Sequence, residues 1–360
     1  MSQSQADDAS CASLSVNCRN RRPALFPAGL QNLRLTCNNL YVFIFMMLPG
    51  RGKSVRGIDL RSYLGAHSGR KGTGMTALEK AFDAARARPL RVVFPEMGDE
   101  SRVDAAVTRL RDERLAEVVG LEATSEAHLA ALLKTRPMKE ALARRMLQKP
   151  LIRAAAMVAA GQADVMVAGA ASPTRRVIEA ASIAIGMAQG VAVPSSFFLM
   201  VYPDGRELLF ADCAVNVAPD ATALADIARA SAVSGAALLG AARVAMLSFS
   251  TGTSGAGASV DLVRHAAAMA GDVVGPVQAD AALNGAIAAA KGLGGGDANV
   301  LVFPSLDAGN IAYKLAQELA GAQAVGPILQ GFARPVCDLS RGATVDDIVA
   351  ATVVTAALAE

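Results

Sequence analysis

Near the C-terminus the chain contains the stretch Pro335-Val-Cys-Asp-Leu-Ser-Arg-Gly-Ala-Thr-Val-Asp-Asp-Ile348, which lies between apolar segments at 322–330 and 345–358. The upstream segment is short, as is typical of a buried strand, and the downstream segment is long enough for a helix. A loop that leaves a strand and enters a helix often binds anions, because free backbone N–H groups and the positive end of the helix dipole meet there. Ser340 and Arg341 add a hydroxyl group and a planar, permanently charged guanidinium group that suits phosphate. We therefore predict that this stretch is a catalytic loop.

From residue 75 onward, segments with strand character alternate with segments with helix character. Apolar segments at 90–96 and 116–121 flank an amphipathic pattern at 99–114, and the alternation continues to the C-terminus. Such alternation is typical of proteins in which helices flank mostly parallel sheets. We therefore predict an α/β fold.

The turn Pro203-Asp-Gly205 joins two strand-like segments at 191–202 and 206–213. A hairpin inside an α/β chain indicates that a second domain begins there. We expect two α/β domains with a cleft between them, and a C-terminal strand and helix that return to the first domain. The predicted boundaries are 75–188 plus 325–360 for the first domain and 189–324 for the second.

The composition favours an enzyme-like body over a nucleic-acid-binding protein. The 360 residues are 52% hydrophobic and only 4% aromatic, so small side chains let helices pack closely on a sheet. The formal net charge of +3 is uneven: residues 1–74 hold ten Lys or Arg against Asp7, Asp8 and Asp59, and the remainder is acidic. Because the basic excess is confined to the N-terminal piece, we do not predict nucleic-acid binding.

The cysteine pattern indicates neither a metal site nor a disulfide framework. Residues 75–360 contain only Cys213 and Cys337, and no C-x-x-C spacing occurs in the chain. Such sparse cysteines favour a reducing compartment. We therefore predict a cytoplasmic protein without a metal ion.

Residues 1–74 show no sustained periodicity and contain one apolar run, at 40–48. This run of nine residues is too short to span a bilayer as a helix. It also begins too far along the chain for a signal peptide. We predict a disordered leader or a mis-assigned start, with Met75 beginning the functional chain. An organelle or membrane-surface signal is the alternative.

A glycine-rich segment, Ser250-Thr-Gly-Thr-Ser-Gly-Ala-Gly257, follows a predicted strand and precedes a predicted helix. Its backbone N–H groups and the hydroxyl groups of Ser250 and Thr251 are suited to binding a phosphate. The segment is neither a Walker A loop nor a dinucleotide-binding fingerprint, and such turns also occur for their geometry alone. The functional and the structural interpretation both stay open.

Residues 303–314 form a second crossing from a predicted strand to a predicted helix. Asp307 suits a helix cap, which is a purely structural role. Asn310 is a candidate polar contact in a cleft.

Asp347 has two possible roles. Thr344-Val-Asp-Asp347 fits a capping box, in which the acid stabilises the start of a helix by about 1 kcal/mol. A helix N-terminus favours the ionised carboxylate and so weakens it as a base. A weak base still suffices when the proton comes from a nearby thiol with a pKa of about 8.5.

A nucleophilic triad is not predicted. His67, His128 and His265 lack a neighbouring Ser or Cys nucleophile motif. Cys337 lies close to the Ser-Arg pair, but no histidine is near it in sequence, and we expect a small buried residue there.

Three features occur in order along the second half of the chain. They are Phe303-Pro-Ser-Leu-Asp-Ala-Gly-Asn-Ile311, then Gly326-Pro-Ile-Leu-Gln-Gly331, and then the opening stretch, whose Ser-Arg pair precedes Val345-Asp-Asp-Ile-Val349. Together they resemble the phosphate acetyl/butyryl transferase family. The resemblance extends from residue 75 to the C-terminus and is strongest from Ser248 onward.

The resemblance implies two α/β domains with a cleft between them, a homodimer, and reversible acetyl transfer between acetyl phosphate and coenzyme A. Coenzyme A would be a substrate, and no permanently bound cofactor or metal is implied. The implied partners are small molecules, namely acetyl phosphate, coenzyme A and inorganic phosphate, rather than nucleic acid or a membrane.

The resemblance also implies roles for the opening stretch. Asp347 matches the family's base, which takes the proton of the coenzyme A thiol. Ser340 and Arg341 match the family's Ser-Arg pair, whose arginine binds phosphate.

Two further family arginines hold phosphate, and they match this chain less directly. Arg136 matches the first if a short deletion is allowed. The second falls in Pro173-Thr-Arg-Arg-Val177, where the family has a longer loop, and we favour Arg176 over Arg175.

Two alternatives keep the resemblance but change the function. A phosphate butyryltransferase would use the same chemistry with a larger acyl pocket, and a noncatalytic domain would only sense acetyl-CoA. A two-domain dehydrogenase, in contrast, would need nucleotide and metal signatures that the sequence lacks.

Overall fold

The computed structural model describes residues 35–38, 41–44 and 75–359. The chain divides into two compact units, Met1–Gly69 and Arg70–Glu360. In the first unit, β1 (Leu35–Asn38) pairs antiparallel with β2 (Tyr41–Ile44). The leader predicted at 1–74 lies outside the described residues apart from these two strands.

The second unit contains a mixed, mostly parallel sheet of ten strands. In spatial order they are β4 (Ala116–Val119), β3 (Leu90–Val93), β5 (Val165–Ala168), β12 (Val336–Asp338), β11 (Gln323–Gln330), β6 (Ser195–Val201), β7 (Glu207–Ala211), β10 (Val300–Val302), β8 (Val244–Leu247) and β9 (Val274–Val277).

Helices connect these strands and flank the sheet, which confirms the predicted α/β class. They are α1 (Ala77–Ala87), α2 (Ser101–Asp112), α3 (Glu126–Thr135), α4 (Glu140–Met146), α5 (Pro150–Ala159), α6 (Thr174–Ala184), α7 (Ala221–Leu239), α8 (Ala258–Ala270), α9 (Ala279–Leu283), α10 (Gly285–Ala290), α11 (Leu306–Ala320) and α12 (Val345–Ala356).

Two parallel blocks of strands run in opposite directions. β4, β3, β5 and β12 are parallel to one another, as are β7, β10, β8 and β9. The antiparallel strands β11 and β6 separate the two blocks. Across these four central strands Cys337, Ile328, Phe197 and Ala211 form one row. Because β12 and β7 both end within one residue of this row, the carboxyl ends of the two blocks meet in the middle of the sheet.

The C-terminal segment returns to the first half of the chain, as the sequence predicts. β12 lies between β5 and β11, and α12 packs against α1 and α2. The side of α12 that carries Ile348, Val349 and Val353 is fully buried in the core. The division of the continuous sheet into domains at 189 and 324 stays a prediction.

The sequence predicts helical structure at 138–161 with a break or kink at Pro150, and the structure has this break: α4 ends at Met146, and Pro150, which lacks an N–H group, begins α5. The opening stretch departs from the sequence-based expectation. The stretch 335–348, expected to be a loop, contains the short strand β12, which pairs with both β5 and β11. The hairpin expected around Pro203-Asp-Gly205 is confirmed as β6 and β7.

α7 is long and apolar enough to cross a membrane by length and composition alone. Half of its apolar window is buried inside the protein, against the sheet and α8. Leu224, Ile227 and Leu238 of this helix belong to the hydrophobic core. The apolar character of α7 is therefore accounted for by packing within the fold.

Gly309 allows α11 to approach the loop after β7. A Cβ atom at this position would lie 2.4 Å from the carbonyl oxygen of Asp212 and 3.0 Å from Sγ of Cys213. A backbone oxygen has little room to move, so the absence of a side chain is required here.

We predict that Gly309→Ala lowers the free energy of unfolding by about 1–3 kcal/mol, because the added methyl group overlaps the Asp212 carbonyl group. Urea unfolding followed by circular dichroism measures this change. Gly120→Ala is the matched control, since a Cβ atom there meets no atom within 4 Å. Equal stability of the two variants would contradict the close approach.

Candidate active site

A cavity of about 620 Å³ lies where the two blocks of strands meet. The loops after β5, β7 and β12 and the helix α11 all contribute to it. Its lining residues are Gly169, Ser172, Pro173, Thr174, Arg175, Phe198, Cys213, Ala214, Leu306, Asn310, Tyr313, Pro327, Asp338, Leu339, Ser340 and Arg341. In α/β sheets ligands bind beyond the carboxyl ends of strands, so this cavity is the candidate active site.

Ser340 and Arg341 form one wall of the cavity, directly after β12. The Ser340 hydroxyl group accepts a hydrogen bond from the backbone N–H of Gly342 at 3.3 Å. Arg102, at the start of α2, donates hydrogen bonds to the carbonyl oxygens of Arg341 (2.9 Å) and Ala343 (2.8 Å). These bonds hold the backbone while the side chain of Arg341 remains exposed.

The loop after β5 is held by the buried carboxylate of Glu96. This carboxylate accepts four backbone N–H groups, from Gly169 (3.1 Å), Ala170 (2.8 Å), Ala171 (3.2 Å) and Ser172 (2.8 Å). An ionised carboxylate with several such donors is stabilised even when buried. Glu96 therefore fixes the segment that leads into α6.

Arg102 also joins this loop to the wall that carries Ser340 and Arg341. Its guanidinium group donates to the carbonyl oxygen of Ala170 at 3.2 Å, in addition to its bonds with the other loop. An ion pair with Glu100, with 2.9 Å between Nε and Oε1, orients the guanidinium group. One arginine side chain thus sets the spacing between two walls of the cavity.

Of the two candidate arginines on α6, the structure places Arg175 on the cavity. Arg176 lies along a neighbouring cavity and forms an ion pair with Glu179 at 3.0 Å. The difference arises because consecutive residues of a helix point about 100° apart. The assignment of Arg176 to phosphate binding stays a prediction from the sequence.

On the opposite side, Asp212 orders the loop after β7. Its buried carboxylate accepts four backbone N–H groups, from Ser196, Ala214, Val215 and Asn216, at 2.8–3.2 Å. The carbonyl oxygen of Cys213 then accepts a hydrogen bond from Nδ2 of Asn310 at 3.1 Å. Asn310 lines the cavity, and its contact with substrate stays a prediction.

Two aromatic side chains give the cavity an apolar surface. The rings of Phe198, on β6, and Tyr313, on α11, are stacked with their centroids 4.2 Å apart. Both residues line the cavity. The site therefore combines an apolar side with a wall of arginines and hydroxyl groups.

Asp338 is buried at the end of β12 and lines the cavity. Among the described residues, neither oxygen of its carboxyl group has a hydrogen-bond partner. Burial raises the pKa of Asp338 to about 7, and the nearby negative charge of Glu96 adds to this rise. The neighbouring Thr174 hydroxyl group opposes part of the increase in this pKa.

Asp347 forms a capping box at the start of α12. Its carboxylate accepts hydrogen bonds from the backbone N–H of Thr344 (3.0 Å) and from the Thr344 hydroxyl group (2.8 Å). The Asp347 N–H donates to Oγ1 of Thr344 at 3.2 Å. Asp347 is not among the described residues that line the cavity, the last of which along the chain is Arg341. The role of Asp347 as a base therefore stays a prediction.

Ser250 and Thr251 are buried within their own loop. The Ser250 hydroxyl group is 3.2 Å from that of Ser254, and the Thr251 hydroxyl group accepts the backbone N–H of Gln278 at 3.1 Å. These bonds fit the structural interpretation of the glycine-rich turn. Their proposed contact with substrate stays a prediction, since the cavity wall, as far as the structure describes it, does not include them.

Arg136 lies at the C-terminal end of α3. It is exposed, and its backbone N–H donates to the carbonyl oxygen of Leu132 at 2.9 Å. In the part of the chain that is described, Arg136 is not on the cavity wall. Its role in phosphate binding, too, stays a prediction.

The two cysteines of the described body are buried thiols. Burial raises the pKa of Cys337 to about 12 and raises the pKa of Cys213 further. Both are therefore protonated and unreactive at neutral pH. Within residues 75–359, no group of three or more His, Cys, Asp or Glu side chains is arranged to hold a metal ion.

The fold and the cavity together define the class of protein: an α/β protein with a ligand cavity at the carboxyl ends of two opposed blocks of strands. The chain belongs to the phosphate acetyl/butaryl transferase family, whose model matches residues 121–356.

Individual relatives agree with this family. The chain is 39% identical over 315 residues to a phosphate acetyltransferase from Paracoccus denitrificans, with 78% of this chain and 99% of that protein covered. It is 37% identical over 312 residues to a phosphate acetyltransferase from Haemophilus influenzae, covering 76% of this chain. The chain spans only 44% of the length of that relative.

A solved structure shows the same fold. The EutD phosphotransacetylase from Staphylococcus aureus superposes with a TM-score of 0.72 at 34% sequence identity. The match covers 79% of this chain and 98% of that one.

Sequence reasoning missed Glu96, Asp212 and Asp338 as parts of the site. All three are acidic residues at or just beyond the carboxyl end of a strand, namely β3, β7 and β12. Their position could have identified them from the sequence, because ligands of α/β proteins bind beyond the carboxyl ends of strands. The particular partners of the three carboxyl groups come from distant segments and have no local pattern.

We predict that Glu96→Gln lowers the free energy of unfolding by about 2–3 kcal/mol, because an amide group cannot accept all four N–H groups. Urea unfolding measures this change, and amide hydrogen exchange at 169–172 should become faster. Asp99→Asn is the matched control, since Asp99 is an exposed acid on the same loop. Unchanged exchange at 169–172 in Glu96→Gln would contradict the role assigned to Glu96.

Proposed function

We propose that the chain is a phosphate acetyltransferase, which transfers an acetyl group reversibly between acetyl phosphate and coenzyme A. The observation that carries this proposal is the wall formed by Ser340, Arg341 and Arg175 on a cavity with an apolar side. Two guanidinium groups suit the phosphoryl group, and the stacked pair Phe198–Tyr313 suits the acetyl group.

The proposed reaction is direct transfer in a ternary complex. The carboxylate of Asp347 takes the proton of the coenzyme A thiol, and the resulting thiolate attacks the acetyl carbonyl carbon. The S–C bond forms as the C–O bond to phosphate breaks, and the electron pair of that bond stays on the phosphate oxygen. Arg341 and Ser340 stabilise the charge that accumulates on the departing phosphate.

The backbone bonds of Arg102 and Glu96 support this mechanism. Before substrate arrives they hold the loop that carries Arg341 and the loop that leads into α6, on which Arg175 lies. Charged groups that are already in place lose little free energy to reorganisation when the transition state forms.

Thioester formation from acetyl phosphate and coenzyme A, followed by absorbance, tests the proposed function. Acetyl transfer should exceed butyryl transfer from butyryl phosphate under the same conditions. Binding of acetyl-CoA without thioester formation would instead support the sensor alternative.

We predict that Arg341→Ala and Arg175→Ala each lower kcat/KM for acetyl phosphate by about 10²–10³-fold, because each removes a charged contact with the phosphoryl group. Steady-state kinetics of thioester formation measures the loss. Arg176→Ala is the matched control, since Arg176 is paired with Glu179 beside a different cavity. A large loss in Arg176→Ala and none in Arg175→Ala would reverse the assignment.

We further propose that the protein is a cytoplasmic homodimer. The two thiols of the described body, Cys213 and Cys337, are unpaired, as suits a reducing compartment. On α11, Ile311, Leu315 and Leu319 are 57%, 51% and 81% exposed and lie at a spacing of four residues, which aligns them on one side of the helix. Such an apolar stripe supports contact with a second copy of the chain.

We predict that Leu319→Glu shifts the protein from dimer to monomer, because it places a charge on the most exposed residue of the apolar stripe. Light scattering measures the mass of the particle in solution. Lys314→Glu is the control, a charge change on the same helix away from the stripe. A dimer of undiminished stability in Leu319→Glu would place the interface elsewhere.

A further inference from the structure

Three buried acids lie at the carboxyl ends of strands around the cavity, and one of them differs from the other two. Glu96 and Asp212 each accept four backbone N–H groups. Asp338 is 1% exposed, and within the described structure neither carboxyl oxygen makes a hydrogen bond of regular geometry, although the Thr174 hydroxyl group is close enough to lower the pKa of Asp338. Asp338 therefore does not have the loop-ordering role of the other two acids.

A buried carboxyl group without partners is costly to the fold, more so when it is ionised. The neighbouring groups offset only part of the cost: the Thr174 hydroxyl group favours the ionised carboxylate, whereas Glu96 is negative and the Cys337 thiol is neutral. The positive groups on the same cavity are Arg175 and Arg341. Buried polar groups that the fold leaves unpaired are characteristic of functional sites, where a ligand supplies the partner.

The position of Asp338 restricts what that ligand can be. It lines the same cavity as Ser340 and Arg341, two residues before the first and three before the second. Behind it, a Cβ atom at Gly169 would lie only 2.6 Å from Oδ1 of Asp338, so the backbone of Gly169 confines the carboxyl group. A protonated carboxyl group is a hydrogen-bond donor, and Arg341 on the same cavity is suited to holding an anion.

The transfer reaction, on which this inference rests, needs such a donor. Acetyl phosphate is a dianion near neutral pH, and breaking its C–O bond without a proton would release the strongly basic phosphate trianion. A proton that arrives as the bond breaks yields the far more stable hydrogen phosphate dianion. Arginine is an unsuitable proton donor because it stays protonated at neutral pH.

We propose that Asp338 is a second proton-transfer residue of the reaction: its neutral carboxyl group donates its proton to the oxygen atom through which phosphate leaves the acetyl group.

The protons and bonds balance as follows. The base takes the thiol proton, the S–C bond forms and the C–O bond breaks, and the proton of Asp338 moves to the phosphate oxygen. Hydrogen phosphate leaves, the base returns its proton to solvent, and Asp338 takes a proton from solvent. In the reverse direction, ionised Asp338 accepts the proton of hydrogen phosphate as the oxygen attacks the thioester.

The pH dependence of the two directions follows from this role. Since the pKa of Asp338 is raised to about 7, kcat for thioester formation should fall as the pH rises through about 7. For the reverse reaction, kcat should fall as the pH drops through the same range. A residue with a purely structural role would not reverse the direction of the pH dependence.

The experiment compares the full-length wild-type chain with Asp338→Asn, which has the same shape but no transferable proton. We expect kcat for thioester formation to fall about 100-fold, the lower end of what general acids contribute, and its decrease above pH 7 to disappear. The variant should be no less stable than wild type. A raised carboxyl pKa destabilises the wild type by an amount that grows as the pH rises from the unfolded-state pKa to about 7 and is fully present above pH 7, and Asn removes this cost. Urea unfolding at pH 8 measures this difference.

Asp346→Asn is the control, an exposed acid on α12 paired with Arg109, and should leave both kcat and its pH dependence unchanged. A folded Asp338→Asn variant with kcat within threefold of wild type would overturn the proposal. If the variant folds poorly, the wild-type pH profiles decide, and parallel profiles in the two directions overturn it. Absence of thioester formation in wild type would instead refute the transferase function itself.

Discussion

The register of the four central strands is the constraint on which the site depends. Cys337, Ile328, Phe197 and Ala211 lie in one row, with two parallel blocks running toward it from opposite sides. In a sheet with all strands parallel, the strand ends would lie along one edge. Here the antiparallel strands β11 and β6 lie between the two parallel blocks, so that the blocks run in opposite directions. The carboxyl ends of the two blocks therefore meet in the middle of the sheet, next to the cavity. Shifting this register by one residue would turn each side chain to the other face and separate the two walls.

Around that cavity, several charged side chains form hydrogen bonds with the backbone of the loops rather than ion pairs with one another. Glu96 and Asp212 each hold four N–H groups of a loop, and Arg102 holds carbonyl groups of two loops. Loop backbone has no ladder of its own, so buried side chains must satisfy its polar groups. This arrangement leaves Arg175 and Arg341, whose guanidinium groups are not committed to these loops, facing the cavity.

The α/β alternation, the hairpin at 203–205 and the capping box at Thr344 were predictable from sequence because each depends on residues close together in the chain. β12 was not, since its three residues form a strand only through pairing with β5 and β11. The choice between Arg175 and Arg176 depends on which of them the rotation of α6 turns toward the cavity. The sequence did not predict this rotation, because the loop before α6 is shorter than in the family. The lack of regular hydrogen bonds to the Asp338 carboxyl group could not be predicted either, because it depends on the positions of side chains from distant parts of the chain.

The helix α11 has two sides with different neighbours. Asn310 and Tyr313 face the cavity, while Ile311, Leu315 and Leu319 are exposed on the outside. Because Gly309 has no side chain, the start of this helix packs directly against the Asp212 carbonyl group. A molecule that binds the outer side of α11 would therefore contact the same helix that supplies Asn310 and Tyr313 to the cavity wall, so the position of this helix links the exposed apolar surface to the shape of the cavity.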